Sequence, residues 1–362
     1  MNAPPIRILI VLHDFSLGGT ERVAVRLANA WADRGCTVTI FAGSSAGPLR
    51  TLPGPAVEVV VADPPIQRSR GSRRRLARAG GEFAGRRRFD TAFIPGNFHW
   101  SVAAALAGAG ISVVAQISAA LDKPQRGRLR QWAFEMRMRH LLRDVDAVVT
   151  LSDIARDQAN RILGRAIATT IALPALADDV PPPEPIPDSP APIVLAAGRL
   201  VPEKGFARLI EAFAALPGDA TLLTIVGDGP EAGALMALAD SLKVSGRVTF
   251  AGYVPEIRPW LDRARLFVLP SDFEGYPAVM VEALAAGRPI VATDCTPATR
   301  LLDAPGAGRV VPIDDIAALS RAIAAMLATP PPDPVALAAL VAHHRIGPVA
   351  AAYLDQFAAV RP

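Results

Sequence analysis

Asp178-Asp179-Val180-Pro181-Pro182-Pro183-Glu184-Pro185-Ile186-Pro187-Asp188-Ser189-Pro190-Ala191-Pro192-Ile193-Val194-Leu195-Ala196-Ala197-Gly198 divides the chain in two and then restarts it. Proline lacks a backbone donor and locks φ, so the first fifteen of these residues can form neither a helix nor a central strand and read as a stiff linker. Ile193 to Ala197 is then a strand-length apolar run ending at a glycine. Leu222 to Val226, Val248 to Ala251, Leu266 to Leu269 and Ile290 to Ala292 repeat it, with helical stretches between. Short continuous apolar runs of this kind are buried on both faces, as in a parallel sheet covered by helices.

The same alternation precedes the linker. Ile6 to Leu12 reads as a buried strand, Gly18-Gly19 as a turn, Glu21 to Asp33 as a helix ended by Gly35, and Thr37 to Phe41 as the next strand. Thr91 to Ile94, Val113 to Ile117 and Ala147 to Leu151 continue the series. The expected class is α/β, with two Rossmann-like domains whose parallel sheets face a central cleft. The expected boundaries are 1–177, a linker at 178–192, a second domain at 193–345, and a terminal helical stretch at 346–362 that crosses back to the first domain. A second proline cluster, Pro330 to Pro334, precedes that last stretch.

A chain of 362 residues exceeds what one core organises, and 51% hydrophobic residues can fill two. Cys36 and Cys295 fall one in each half, which argues against a disulfide framework and for a reducing compartment. No basic n-region with an apolar h-region opens the chain, so a cytoplasmic location is expected. Thr91 to Leu121 carries no charge, but Pro95, Gly96, Asn97, Gly108, Gly110 and Gln116 break it into short elements rather than a membrane span. Lys plus Arg outnumber Asp plus Glu by 24 to 13 in residues 1–175, and are outnumbered 14 to 21 in residues 176–362. The first half should therefore be drawn to anionic surfaces. Its arginines cluster at Arg68 to Arg88 and at Arg126 to Arg143, the second cluster interleaved with Trp132, Phe134, Met136 and Met138. Charge alone, without a recognition motif, does not suggest nucleic acid.

Chemistry is suggested at the ends of the second-half strands, the edge at which open α/β sheets bind ligands. In Gly198-Arg199-Leu200-Val201-Pro202-Glu203-Lys204-Gly205, two cations stand between glycines before a helix start, an arrangement suited to phosphates. Alone they read equally as solvated cations. Val226-Gly227-Asp228-Gly229-Pro230 could wall a pocket, and backbone at Tyr253-Val254 could meet a base edge. Ser271-Asp272-Phe273-Glu274-Gly275-Tyr276-Pro277-Ala278-Val279-Met280-Val281-Glu282 places two carboxylates around a Gly/Pro turn. Glu282 sits in an apolar helical sequence, where an unpaired charge would be costly, and hydroxyl donors would satisfy it. Helix-dipole complementarity for Glu274 and a solvated helix face for Glu282 are the plainer alternatives. Cations for a diphosphate and carboxylates for hydroxyls together suit a nucleotide sugar.

These segments, with Leu17-Gly18-Gly19-Thr20-Glu21-Arg22 and Ala286-Gly287-Arg288-Pro289-Ile290-Val291-Ala292-Thr293-Asp294, resemble the retaining GT-B glycosyltransferases of family four, the glycosyl transferases group 1. The resemblance covers nearly the whole chain. It implies a UDP- or GDP-linked sugar as co-substrate, no other cofactor, and a glycan or lipid-linked acceptor in envelope polysaccharide or glycolipid assembly. It implies that Arg199 and Lys204 hold the diphosphate, Glu274 the transferred sugar and Glu282 the ribose. Gly198, Gly227, Asp228, Gly229, Tyr253, Val254, Gly275, Tyr276, Pro277 and Ala278 would complete the donor site, with Gly18 and Gly19 lining the cleft from the other domain. A lipid-linked acceptor would also place the basic half peripherally at an anionic membrane face.

Two positions depart from the family pattern. Gln116-Ile117-Ser118 lacks the histidine that relatives use toward the donor sugar, and His99 is the candidate substitute. Ala172-Leu173-Pro174-Ala175 replaces an Asn-Pro near the hinge. Asp144-Val145-Asp146 has a metal-binding form but precedes a strand at the far sheet edge, so a structural role and no metal are expected. A nucleotide-sugar 2-epimerase and a catalytically silent subunit of the same fold remain alternatives; a dehydrogenase would want Gly-x-Gly-x-x-Gly after its first strand.

Overall fold

The computed structural model describes residues 5–122 and 126–361. Two units organise the chain: residues 1–178 with 344–362, and residues 179–343.

In the first unit the strands are β1 (Arg7–Leu12), β2 (Thr37–Ala42), β3 (Val57–Val61), β4 (Thr91–Ile94), β5 (Ser112–Ile117), β6 (Ala147–Thr150) and β7 (Ala168–Thr170). They form one sheet in the order β3-β2-β1-β4-β5-β6-β7, every pair parallel, with Ile10 opposite Ile40 and Phe93. Parallel neighbours require crossovers, and these are α1 (Gly19–Ala32), α2 (Ser72–Gly85), α3 (Ala103–Ala107), α4 (Gly127–Leu141) and α5 (Asp153–Leu163). Gly18 is extended at the amino end of α1, so that helix begins two residues before the expected Glu21. Ile8 to Leu12 are inaccessible to solvent, as a strand covered on both faces must be.

The terminal helix, Ile346–Ala359, packs on α1 within this unit. Trp31 anchors it: its ring makes edge contacts with Phe93, Tyr353 and Phe357, and its indole N–H donates to the Ala350 carbonyl at 3.1 Å. Gln116 donates its side-chain amide to the Tyr353 hydroxyl at 2.8 Å, while burial pushes that phenol above its ordinary range. The carbonyls of Leu173, Pro174 and Ala175 are taken by His344 and Arg26, so protein groups hold the segment that departs from the family's Asn-Pro.

The second unit repeats the plan with β8 (Ile193–Ala197), β9 (Leu222–Val226), β10 (Val248–Gly252), β11 (Leu266–Leu269), β12 (Ile290–Thr293) and β13 (Gly308–Val311), ordered β10-β9-β8-β11-β12-β13. Its helices are α6 (Phe206–Ala214), α7 (Ala232–Ser241), α8 (Arg258–Arg263), α9 (Ala278–Ala285), α10 (Ile316–Ala328) and α11 (Pro334–Ala339). Residues 179–192 form no regular element. A proline run offers carbonyls without donors, and two arginines use them: Arg258 donates to Pro181 and Pro182, and Arg288 to Glu184 and Pro185. The segment thus lies docked on the second unit.

The uncharged stretch from Thr91 resolves into β4, a 3₁₀ turn at Asn97–Val102, α3 and β5. Among the described residues no helix is long and apolar enough to cross a membrane.

Candidate functional site

The carboxyl ends of β8, β9, β10 and β11 carry the second-half candidates, and glycines let their loops interlock. Gly198 donates to the Val226 carbonyl at 3.0 Å, Leu200 to Asp228 at 2.9 Å, and Gly227 to Gly252 at 2.8 Å. Gly227 has φ +139°, and a Cβ there would lie 1.8 Å from the Gly198 oxygen. Gly205, at φ +66°, backs onto Pro270, whose oxygen would be 2.0 Å from an added Cβ. Only glycine permits both approaches.

The loop after β11 is braced from three directions. Arg208 on α6 donates to the Pro270 carbonyl at 2.8 Å and to the Asp272 carboxylate at 2.7 Å, and the Asp272 amide donates to Glu203 at 2.9 Å. Thr293 and Thr296 donate their hydroxyls to the carbonyls of Ser271 and Gly275, and the Glu274 amide donates to Cys295 at 2.8 Å. Fixed in this way, the Glu274 carboxylate meets the Lys204 ammonium directly, and Ser271 Oγ donates to the same oxygen at 3.0 Å. The two side chains keep only 22% and 14% of their exposure. The structure therefore joins two residues seventy positions apart, with the lysine stem running past Gly198, and the next residue, Arg199, is exposed.

Glu282 lies half-buried on α9, whose residues Met280, Val281, Ala283 and Leu284 are buried. Pro277 is the residue before α9, which starts at Ala278. Tyr253 is exposed and Val254 half-buried just past β10, and Asp228 accepts from the Gly229 amide at 2.7 Å within its own turn. Burial pushes the Cys295 thiol and the Tyr276 phenol up to about 12, which removes both as nucleophiles near neutrality.

Gly18, Gly19 and His99 belong to the first unit. A Cβ on Gly18 would meet the Glu21 carboxylate at 2.1 Å, whereas Gly19 is open. His99 corrects the sequence expectation, because both its ring nitrogens serve the protein. Nε2 accepts from the His13 amide at 3.1 Å, so Nδ1 carries the proton and donates to the Pro95 carbonyl at 3.0 Å. Burial lowers the imidazole to about 4, so it has no ring nitrogen to offer a sugar.

That burial has a pH consequence. A histidine lowered in the folded state leaves the unfolded chain binding more protons below pH 6.5, so stability is full above that pH and declines as pH falls towards 4. Unfolding by urea should show the first unit losing about 2 kcal/mol between pH 7 and pH 5. His99→Gln should flatten that decline; an undiminished slope would assign it elsewhere.

Sequence reasoning missed a network at the end of β1. Asp14 accepts two hydrogen bonds from Arg68, at 2.5 and 2.9 Å, and Arg68 also reaches Glu21 at 2.9 Å. Burial alone would raise the Asp14 carboxyl, but Arg68 and the Ser16 amide outweigh it and hold it down to about 2. His13 Nε2 lies 2.9 Å from Ser72 Oγ. The sheet-edge rule that selected Arg199 after β8 would have selected His13 and Asp14 after β1. Asp146 accepts from the Val113 amide at 2.7 Å and Asp144 pairs with Arg143, so both carboxylates of the Asp-x-Asp segment have structural partners.

Residues 191–329 match the family described as glycosyl transferases group 1, and residues 18–175 match the glycosyl transferase 4-like domain. The lipopolysaccharide core biosynthesis glycosyltransferase LpsE of Rhizobium meliloti (strain 1021) is 41% identical over 138 residues, 38% of this chain and 40% of that protein. The lipopolysaccharide core biosynthesis mannosyltransferase LpcC of Rhizobium leguminosarum bv. viciae is 35% identical over 140 residues, 37% of this chain and 40% of that protein. The matched stretches thus span less than half of these relatives. Among solved structures, the apo lipopolysaccharide outer core galactosyltransferase WaaB superposes with a TM-score of 0.76 at 18% identity, over 98% of this chain and 99% of that one. Anabaena HepE in complex with UDP and glucose superposes with a TM-score of 0.74 at 20% identity, over 98% and 97%.

Proposed function

Since the chain belongs to the group 1 glycosyltransferases and has the GT-B fold, we propose that it moves a sugar, with retention, from a UDP- or GDP-linked donor to a glycan or lipid-linked acceptor of the cell envelope. The Lys204–Glu274 pair carries this reading. Each member satisfies the other, and a nucleotide sugar could replace both contacts. Its diphosphate would take the ammonium together with the Arg199 guanidinium, and sugar hydroxyls would donate to the carboxylate. Glu282 would accept from ribose hydroxyls, and backbone at Tyr253–Val254 would meet the base.

Breaking the glycosidic bond adds negative charge to the departing diphosphate, so cations fixed beforehand bind the transition state better than the ground state. The thiol and phenol beside the loop are protonated near neutrality. That favours a route without a protein nucleophile, in which the acceptor hydroxyl attacks the face the nucleotide leaves and a leaving phosphate oxygen takes its proton. Asp144 and Asp146 are engaged by protein groups, which supports a reading in which side-chain cations, without a metal, meet the diphosphate charge. The HepE complexes with UDP and with UDP-glucose support a uridine nucleotide as the first donor to try.

Release of nucleoside diphosphate from UDP- and GDP-sugars, followed with and without lipid-linked and saccharide acceptors, tests the proposal. Release that depends on acceptor and persists in EDTA supports it. Conversion of the donor to its 2-epimer without acceptor, or activity restored only by Mg²⁺ or Mn²⁺, contradicts it.

On α4, Leu129, Trp132 and Met136 recur at i, i+3 and i+7 and are 84, 64 and 43% exposed, among Arg128, Arg130, Arg137 and Arg139. Such a face suits peripheral attachment to an anionic bilayer, each basic residue adding about 1 kcal/mol. Phosphatidylglycerol vesicles should retain the chain and phosphatidylcholine vesicles should not; equal retention would remove the attachment.

A further inference from the structure

A cavity of about 990 Å³ in the first unit is lined by residues from the start of α2, from Phe98 and Ser101, and from the end of α4. Five arginines, Arg68, Arg70, Arg73, Arg74 and Arg137, line it together with His140, and no carboxylate residue is among its lining residues. Arg68 is neutralised by Asp14 and Glu21. Among the described residues Arg70, Arg73, Arg74 and Arg137 form no salt bridge. Phe98 has the Arg73 guanidinium over its ring at 4.2 Å and that of Arg68 at 4.7 Å, which holds two cationic forks in defined places.

Local electrostatics opposes this arrangement. Arg73, Arg74 and Arg75 occupy the first turn of α2, a fourteen-residue helix with no acidic residue and no side-chain cap there. The amino end of a helix is its positive end and ordinarily attracts carboxylates. Arg73 is half-buried, and burial, followed by the nearby charges of Arg137 and Arg68, lowers its affinity for a proton. Unpaired guanidiniums, a positive helix end and mutual repulsion around one cavity all become favourable once an anion enters. Planar guanidinium forks match phosphate oxygens in pairs. The volume exceeds the need of a bare ion and falls at the upper end of small-molecule sites, so the anion would carry an attached group.

We propose that this cavity binds a phosphate ester, a phosphomonoester or diphosphate carried by the acceptor. The acceptor assignment rests on the transfer reaction proposed above, whereas the site itself does not. Binding is therefore measured without turnover. Calorimetric titration of the full chain bearing Lys204→Ala, which removes the second unit's paired cation, should still show inorganic pyrophosphate and a hexose 6-phosphate binding. Adding Arg73→Gln and Arg137→Gln should weaken both at least tenfold, and higher salt should weaken the parent more than the variant. Relief of repulsion should leave the substituted protein melting at or above the parent temperature; if it does not fold, the exposed Arg70→Gln and Arg74→Gln pair reads the same loss. Unchanged affinity in the substituted protein overturns the site. So does retention on phosphatidylglycerol vesicles without binding of either soluble phosphate, which would make these arginines a membrane-facing charge. Phosphate binding with no glycosyl transfer from any donor would leave the site standing and remove its assignment to an acceptor.

Discussion

Replacing Lys204 with alanine should lower kcat by about 10² to 10³ while the fold remains intact, the scale on which removal of one preorganised transition-state contact is felt. The lysine is placed by backbone rather than by its own flexibility. Gly205 holds the turn against Pro270, and the side chain runs along Gly198 to the Glu274 carboxylate. Because the contact strengthens as charge moves onto the leaving group, the loss should appear in kcat and kcat/KM together. Lys204→Arg should not rescue, since a planar guanidinium fork places its charge and donors differently from the compact ammonium that meets the Glu274 carboxylate. Glu274→Gln keeps the shape and the Ser271 contact but removes the charge, and it should cost less in kcat than Lys204→Ala. A Lys204→Ala enzyme retaining more than about a third of its kcat would show the pair to be structural.

Trp31→Ala should destabilise the first unit by about 3 to 5 kcal/mol, which a single domain with about 5 to 15 kcal/mol of stability can barely absorb. The indole is inaccessible to solvent and touches Phe93 on β4 and Tyr353 and Phe357 on the terminal helix. Its loss would empty the volume joining α1, the sheet and that helix, and leave the Ala350 carbonyl without its side-chain donor. Unfolding should be followed by a probe specific to the first unit, because two units need not melt in one transition. Leu129→Ala, on the exposed face of α4, is the control and should change stability by less than about 0.5 kcal/mol.

Strands buried on both faces were legible because burial leaves no room for alternation, so Ile8 to Leu12, Val194 to Ala196 and Phe267 to Leu269 announce themselves as apolar runs. The edge strands β3, β7 and β13 were not among the expected elements. Their outer residues are half-exposed, and Glu58, Thr170 and Arg309 interrupt the pattern. Glycines at Gly198, Gly205 and Gly227 marked the turns, but only in the folded chain does another loop's carbonyl require two of them, Gly205 and Gly227. Arg208, Thr293 and Thr296 act through distant backbone oxygens, a role that composition and spacing do not reveal. His99 failed as a sugar contact for the same reason: its partners, the Pro95 carbonyl and the His13 amide, satisfy both nitrogens in the core.

Calorimetric titration of UDP, GDP and their sugar conjugates against the parent chain and Lys204→Ala is the most direct test of the site. One nucleoside diphosphate should bind the parent and be weakened at least tenfold by the substitution, and its sugar conjugate should bind more tightly until Glu274 is also replaced. Equal binding of that nucleotide to both proteins would contradict the proposed site.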